Sequence, residues 1–233
     1  MMSKRNIFKK TSGLNGGGSF SQLALSLCLD TSGSMRGHPI NELNAGTRMF
    51  YDTVRNDRTA KYMADISIVT FGGDEAKCIQ DFAHVSEVSV PPSLKAEGMT
   101  PMGEGVNLSL DMLENRRNYY RNSGVSYYHP WIILMTDGKP VGNASELSRA
   151  IERTRDLVNR NKLAVFPLAI GNEADVETLK QFSPKMRPVA LKGLNFKGFF
   201  EWLSISVHQV SISRPGEAIK LPDIDSSWGS III

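Results

Sequence analysis

Runs of consecutive apolar residues recur along the chain and predict strands of a buried sheet. The runs at 131–135 and 163–170 are almost wholly apolar, which is typical of central strands in a parallel sheet that is covered on both faces. Apolar residues at 22–29, β-branched residues at 64–71 and a short apolar stretch at 188–191 predict three further strands.

Between these runs, apolar residues recur every three or four positions, and this spacing predicts amphipathic helices. The predicted helices lie at about 40–54, 106–120, 147–158, 176–182 and 199–210. Strands that alternate with helices indicate an α/β fold with a doubly wound, mostly parallel central sheet and helices on both faces. Ligands bind such sheets at the carboxyl ends of the strands.

Two segments depart from this simple pattern. Gly72-Gly73-Asp74 is a turn signal, so we expect 75–81 to return as an antiparallel partner of 64–71. Pro167 lies inside a predicted strand, although proline cannot donate to a strand ladder. We expect either a bulge at Pro167 or a place where this strand lies at the edge of the sheet.

The chain divides into three parts by composition. Residues 1–21 are rich in glycine and serine and predict a flexible arm. Residues 22–212 carry the alternating strands and helices and predict one domain. Residues 213–233 form a C-terminal tail that is polar, contains proline and ends in three isoleucines. The tail is either a docking peptide for another protein or a segment that packs on the chain's own sheet.

The composition limits the classes of partner. A formal net charge of +3 with scattered basic residues argues against nucleic acid, and the basic residues near the start (Lys4, Arg5, Lys9, Lys10) are expected to be solvated. No apolar stretch is long enough to span a membrane, and no apolar segment of a signal peptide follows the basic start. We therefore expect a cytoplasmic protein without a membrane partner.

The two cysteines do not indicate a disulfide framework or a zinc site. Cys28 and Cys78 each lie in a predicted strand, and no C-x-x-C motif or Cys/His cluster accompanies them. We expect two buried, reduced thiols.

Oxygen-bearing side chains cluster where predicted strands end. Asp30, Ser32 and Ser34 alternate directly after the first strand, Asp137 follows 131–135, and Thr100 precedes a proline between them. Carboxylate and hydroxyl oxygens are ligands of hard divalent cations, Mg²⁺ above all, with Mn²⁺ or Ca²⁺ also compatible. Protein side chains rarely complete such a shell, so a carboxylate from a partner protein could take an open position.

Each of these residues also has a structural explanation. Asp30, Ser32 and Thr100 are good helix-capping or turn residues, and Asp137-Gly138 is an ordinary turn pair. Two carboxylates and three hydroxyls together at strand ends favour a metal site over five separate caps and turns.

The residues Asp30-Thr31-Ser32-Gly33-Ser34, Thr100 and Thr136-Asp137-Gly138 resemble the metal-ion-dependent adhesion site of the von Willebrand factor A domain. The resemblance spans about 22–212. It implies a mostly parallel sheet with one antiparallel edge strand. It also implies that Asp30, both serines and Thr100 bind the ion, while Asp137 acts through water.

Within that family, the segment from Leu29 to Gly37 is similar to a bacterial intracellular branch associated with tellurite resistance and stress response. The resemblance implies a regulatory scaffold that works with a PP2C-type phosphatase and a protein kinase. The alternative is an adaptor subunit for a MoxR-like AAA+ ATPase, and the sequence does not decide between the two.

The hypothesis that the chain is an enzyme fails because essential catalytic groups are missing from the sequence. The strand-end Asp30 is similar to the nucleophile of haloacid-dehalogenase phosphatases, but Ser32 stands where their second aspartate would act as acid and base. The chain has no G-x-S-x-G elbow around its serines and no phosphate-binding loop motif. We expect no enzymatic activity.

Residues beside the proposed metal site are candidates for contact with a partner. They combine basic and apolar side chains, which suit an acidic and apolar surface, although they could equally be ordinary loop residues. The candidate rim consists of Arg36, His38, Met99, Met102 and Lys139, with Glu104 and Val141 alongside.

Overall fold

The computed structural model describes residues 20–217 and 219–232 and contains a seven-stranded sheet. The strands are β1 (Leu23–Asp30), β2 (Ala64–Gly72), β3 (Glu75–His84), β4 (Trp131–Thr136), β5 (Ala164–Ile170), β6 (Val189–Leu191) and β7 (Gly229–Ile231). Their order in the sheet is β3-β2-β1-β4-β5-β6-β7. The predicted arm lies outside the described residues, except for Phe20 and Ser21.

Six α-helices connect the strands: α1 (His38–Asn56), α2 (Ala60–Met63), α3 (Met102–Asn122), α4 (Ala144–Asn159), α5 (Val176–Phe182) and α6 (Phe196–Ser211). The buried residues of α1 and α6 pack on one face of the sheet, and those of α3, α4 and α5 pack on the other. The predicted doubly wound α/β fold with a mostly parallel sheet is confirmed. None of the helices in the described ranges is long and apolar enough to cross a membrane.

Strand β1 shows how the two faces are built. Its odd-numbered positions are leucines that pack under α1 and α6, whereas Ala24 and Cys28 face α3 and its neighbours. Successive side chains of a strand point to opposite faces, so a run that is apolar at every position is covered on both sides. All eight residues of β1 are buried, as expected for an interior strand that is covered on both faces.

Strand β3 is the predicted antiparallel partner of β2 and lies at one edge of the sheet. One face of an edge strand can meet solvent, and Cys78 on β3 is exposed. The expectation of two buried thiols is therefore wrong for Cys78 and correct for Cys28, whose strand is central.

Pro167 lies in β5 without a bulge. The pairing of β4 with β5 runs from Trp131 to Thr136 without a register shift, whereas β6 pairs only with Leu168–Ile170. On its β6 side, Pro167 therefore lies beyond the ladder, where a missing N–H costs no hydrogen bond. Of the two explanations offered by the sequence, the local sheet edge is the one observed.

The C-terminal tail packs on the chain's own sheet. Strand β7 pairs antiparallel with β6 and adds a second antiparallel strand, at the edge opposite β3, which the sequence did not predict. Just before β7, Trp228 is buried against Phe199 and Trp202 of α6. This aromatic contact and the β6 ladder together hold the tail in place.

A buried charge ties α3 to the sheet at the end opposite the strand-end oxygens. Asp65 of β2 is fully buried, and Arg116 of α3 donates to its Oδ2 from 2.5 Å. Tyr120 of α3 donates to the same oxygen. The Arg116 guanidinium also lies over the rings of Tyr119 and Tyr120. These partners compensate Oδ2 for lost water, whereas Oδ1 is buried without a hydrogen-bond partner among the described residues.

We expect Arg116→Met to lower the free energy of unfolding by about 3–5 kcal/mol, because it leaves the Asp65 carboxylate buried without its cation. Arg121→Met, on the exposed side of the same helix, should change it by less than about 0.5 kcal/mol. Adding Asp65→Asn to Arg116→Met should recover part of the loss. Urea unfolding followed by circular dichroism measures all three, and equal stabilities of the two single variants would contradict the prediction.

Candidate functional site

Asp30 is the last residue of β1 and lies at the carboxyl end of the central strands. Its side chain is fully buried. Asp30 Oδ1 accepts a hydrogen bond of 2.8 Å from the Ser32 backbone N–H, and Oδ2 accepts one of 2.6 Å from Thr136 Oγ1. Thr136 ends β4, which is paired with β1. The ends of two neighbouring strands therefore fix this carboxylate in one orientation.

A chain of hydrogen bonds continues from Asp30 to Asp137. Ser32 precedes a short 3-10 helix, Gly33–Met35, whose turn brings Ser32 Oγ within 3.0 Å of Ser34 Oγ. Ser34 Oγ donates to Asp137 Oδ1 over 2.8 Å. Four of the five candidate ligands thus converge, although Ser34 and Asp137 are 103 residues apart in sequence.

Thr100 reaches the same place through its backbone. The Gly33 N–H donates to the Gly98 carbonyl, and the Val141 N–H donates to the Thr100 carbonyl, both at 2.9 Å. The loop of Thr100 therefore lies between the loops that follow β1 and β4. The Thr100 residue is buried. Within residues 20–217 and 219–232, no hydrogen bond joins its side chain to the Asp30–Asp137 chain.

A glycine allows this loop to approach so closely. Gly98 has a φ of +60°, and a Cβ at this position would lie 2.3 Å from Gly73 Cα. Any side chain would push the 98–100 segment away from the turn after β2. Gly73 lies 25 residues earlier in the sequence, so no local pattern indicates this close contact.

The electrostatics of the site suit a cation. Burial raises the pKa of Asp30 to about 6. The hydrogen bonds from Thr136 and Ser32 lower this pKa, but burial has the larger effect. Burial also raises the pKa of Asp137, and the two carboxylates repel each other. Two partly desolvated carboxyl groups beside hydroxyl oxygens would both be stabilised as anions by a divalent ion. The donor set therefore fits the metal that the sequence predicts.

The composition of the site also limits the kind of metal. In the part of the chain that the structure describes, no three His, Cys, Asp or Glu residues are grouped so that they could hold an ion. The candidate set has only two carboxylates and otherwise hydroxyls. Such an oxygen set, without sulfur or imidazole, favours a hard cation that keeps several waters over a soft one.

The residues predicted to form the rim are exposed to solvent, except Met102. Arg36, His38 and Lys139 are exposed beside the site, and Met99 and Val141 are about half exposed. Met102 is fully buried in the first turn of α3, where it belongs to the core on that face of the sheet. The prediction that Met102 belongs to the rim is therefore wrong. Its side chain lies at the start of α3 on the side that packs against the sheet, where solvent cannot reach it.

Thr136 is a residue whose role the sequence did not predict. In the sequence it stands out only as part of Thr136-Asp137-Gly138, whereas in the structure its hydroxyl donates the second hydrogen bond to Asp30. The sequence does offer one signal: Thr136 directly follows a predicted buried strand, at the same carboxyl edge of the sheet as Asp30.

Comparison with known proteins identifies the family of the chain. The family model described as the von Willebrand factor type A domain matches residues 25–197. Human inter-alpha-trypsin inhibitor heavy chain H6 is 24% identical over 194 residues, which cover 76% of this chain and 14% of that protein. The chain thus spans only a small part of this relative.

Solved structures share the fold at low sequence identity. A von Willebrand factor type A protein from Catenulispora acidiphila superposes with a TM-score of 0.59 and 15% identity, covering 81% of this chain and 43% of that one. Proximal thread matrix protein 1 from the mussel byssus, described with a zinc-occupied MIDAS motif, has a TM-score of 0.53 and 15% identity, covering 82% and 48%.

These observations define a class of protein. It is an α/β domain with a doubly wound sheet and an oxygen-lined site at the carboxyl ends of the strands. The chain belongs to the von Willebrand factor type A domain family. Domains of this family are known as metal-dependent modules for protein interaction. The predicted membership of this chain in the family is confirmed.

We expect Thr136→Val to weaken Mg²⁺ binding by about 10- to 100-fold, because it removes the hydroxyl that orients Asp30 and keeps the side-chain shape. Thr47→Val in α1 is the matched control, since Thr47 is also buried and donates to a backbone carbonyl far from the site. Titration calorimetry with Mg²⁺ measures both variants. Equal losses of affinity, or none in Thr136→Val, would contradict a positioning role.

Proposed function

We propose that this chain is a metal-dependent protein-binding module, in which Asp30, Ser32, Ser34, Thr100 and Asp137 hold one Mg²⁺. The observation that supports the proposal most directly is the hydrogen-bonded chain from Asp30 through Ser32 and Ser34 to Asp137. Four of the five proposed ligand residues are already joined in this chain, so little ordering of their side chains would accompany metal binding.

The five residues differ in their access to solvent, and this difference suggests a direction of approach. Asp30 and Thr100 lie at the bottom of the site, whereas Ser34 is exposed and Asp137 is half-buried. A bound Mg²⁺ would offer an open coordination position to an incoming oxygen ligand. We propose that a partner protein supplies an aspartate or glutamate from the exposed side.

The surface around the opening suits such a partner. Arg36, His38 and Lys139 carry donors that can meet an acidic segment, and Met99 and Val141 expose apolar area next to them. Charged groups at a rim mainly guide association, while the buried apolar centre of an interface supplies affinity. A partner with an acidic residue flanked by apolar side chains fits both features.

For the biological setting, we propose a cytoplasmic scaffold or regulator in a bacterial stress or tellurite-resistance system, with a PP2C-type phosphatase and a protein kinase as partners. The support is the similarity of the segment from Leu29 to Gly37 to that branch of the family. We also propose that the chain is not an enzyme. Ser32 occupies the position where a strand-end phosphatase would need a second carboxylate.

We expect Asp30→Ala to abolish measurable Mg²⁺ binding and to leave the fold intact, since a carboxylate with a pKa raised by burial contributes little to stability when ionised. Ser34→Ala, an exposed change, should weaken binding by about tenfold or more. Asp156→Ala on the exposed side of α4 serves as the control for losing a carboxylate. Unchanged Mg²⁺ and Mn²⁺ affinities in Asp30→Ala and Ser34→Ala would refute the metal site.

We expect capture of a partner by this chain to depend on a divalent ion. Partners retained from a bacterial host lysate in Mg²⁺ should be released by EDTA and recaptured when Mg²⁺ is restored. In the purified complex, changing one acidic residue of the partner to its amide should reproduce the EDTA effect. A complex that keeps its affinity in EDTA would contradict the proposed mode of partner binding. It would not contradict the proposal that the chain binds a metal ion.

A further inference from the structure

A cavity of about 360 Å³ lies at the β6 side of the sheet, away from the candidate metal site. Its walls come from β5, the segment before β6, α6 and the C-terminal tail. No candidate metal ligand and no rim residue lines it. Its volume falls in the range of about 300–1,000 Å³ that is typical of small-molecule sites.

The interior of the cavity is apolar and aromatic. Three nearly fully buried aromatic side chains line it: Phe166, Trp202 and Trp228. The ring centroid of Trp202 lies 5.7 Å from that of Phe166 and 6.0 Å from that of Trp228. The indole N–H of Trp202 donates to the Pro222 carbonyl, so this polar group is already satisfied. An apolar molecule that contacts the Trp202 ring therefore leaves no unpaired indole donor on that residue.

The fold explains why this space is not filled by the sheet. β6 has three residues and pairs with β5 only from Leu168 onward, so the edge of β5 at Phe166 and Pro167 has no strand beside it. A strand edge normally exposes N–H groups that need partners, but Pro167 has none. An apolar molecule can lie against Pro167 without covering a donor there.

The charged residues of the cavity have one sign. Lys185 and Arg187 are its charged lining residues, and both are exposed. Lys185 Nζ donates to Asn161 Oδ1 from 2.6 Å, whereas Arg187 has no hydrogen bond or ion pair within the described ranges of the chain. A free guanidinium beside an apolar cavity, with no carboxylate in the lining, complements a ligand that is apolar along its length and anionic at one end.

We propose that this cavity binds a medium-chain carboxylate, with its alkyl chain between α6 and the tail and its carboxylate at Arg187. The tail residues Leu221, Ile224 and Trp228 form one wall, so the bound molecule would also hold the tail against the domain. The site is independent of the proposed metal site and does not require it.

Decanoate is the probe, and titration calorimetry together with tryptophan fluorescence measures its binding to the full chain. We expect saturable binding, at least tenfold weaker binding of neutral decanol, and a rise in the thermal unfolding midpoint with decanoate. Arg187→Glu should weaken decanoate binding at least tenfold. Arg58→Glu, another exposed arginine outside the cavity, should not change it.

A second pair of variants tests the location of the ligand. Leu221→Trp should fill the cavity and abolish binding, whereas Ile212→Trp adds the same ring to an exposed position at the end of α6 and should have no effect. Met186→Phe fills the cavity from the segment before β6 and replaces the Leu221 variant if that variant unfolds at a lower temperature. Absence of decanoate binding, equal affinity for decanol, or binding that survives the filling variants would each overturn the proposal.

Discussion

The parallel pairing of β1 with β4 is the constraint on which the candidate site depends. The register that places Leu29 beside Met135 brings the next residues, Asp30 and Thr136, side by side, and a hydrogen bond of 2.6 Å joins them. A shift of one residue would turn Asp30 to the other face of the sheet. Because both strands are buried on both faces, their apolar packing opposes such a shift, and the geometry of the carboxylate follows from the core.

The remaining candidate ligands are placed by backbone contacts between loops. Gly33 and Val141 donate to the loop that carries Thr100, and Gly98 allows that loop to lie against the turn after β2. Nearby, a Cβ on Gly103 of α3 would lie 2.4 Å from the Leu147 backbone nitrogen, so α3 and α4 meet closely just behind the site. Rigid elements thus support short loops, an arrangement that keeps ligand oxygens preorganised.

The two ends of the sheet serve different purposes. At the carboxyl end, two carboxylates are held with their pKa values raised, a state that a bound cation would relieve. At the other end, the Asp65 carboxylate is already compensated by Arg116 and contributes to the anchoring of α3. A third region lies at the β6 side of the sheet, where the tail adds β7 to the sheet and forms one wall of an apolar cavity. The proposed metal-dependent binding of a partner and the proposed binding of a small molecule would therefore use separate surfaces of one domain.

The sequence by itself determined the fold class, most element positions and the family, because alternating apolar runs and the Asp30–Ser34 motif are local patterns. Only the tertiary structure decided three other points. Met102 is buried although the sequence predicts it at the surface, and Cys78 is exposed although the sequence predicts it buried. Exposure depends on which face of a helix or which edge of a sheet meets solvent. Thr136 acquires its role from a strand distant in sequence. The tail pairs with β6 because an unpaired strand edge was available, a fact that no local pattern contains.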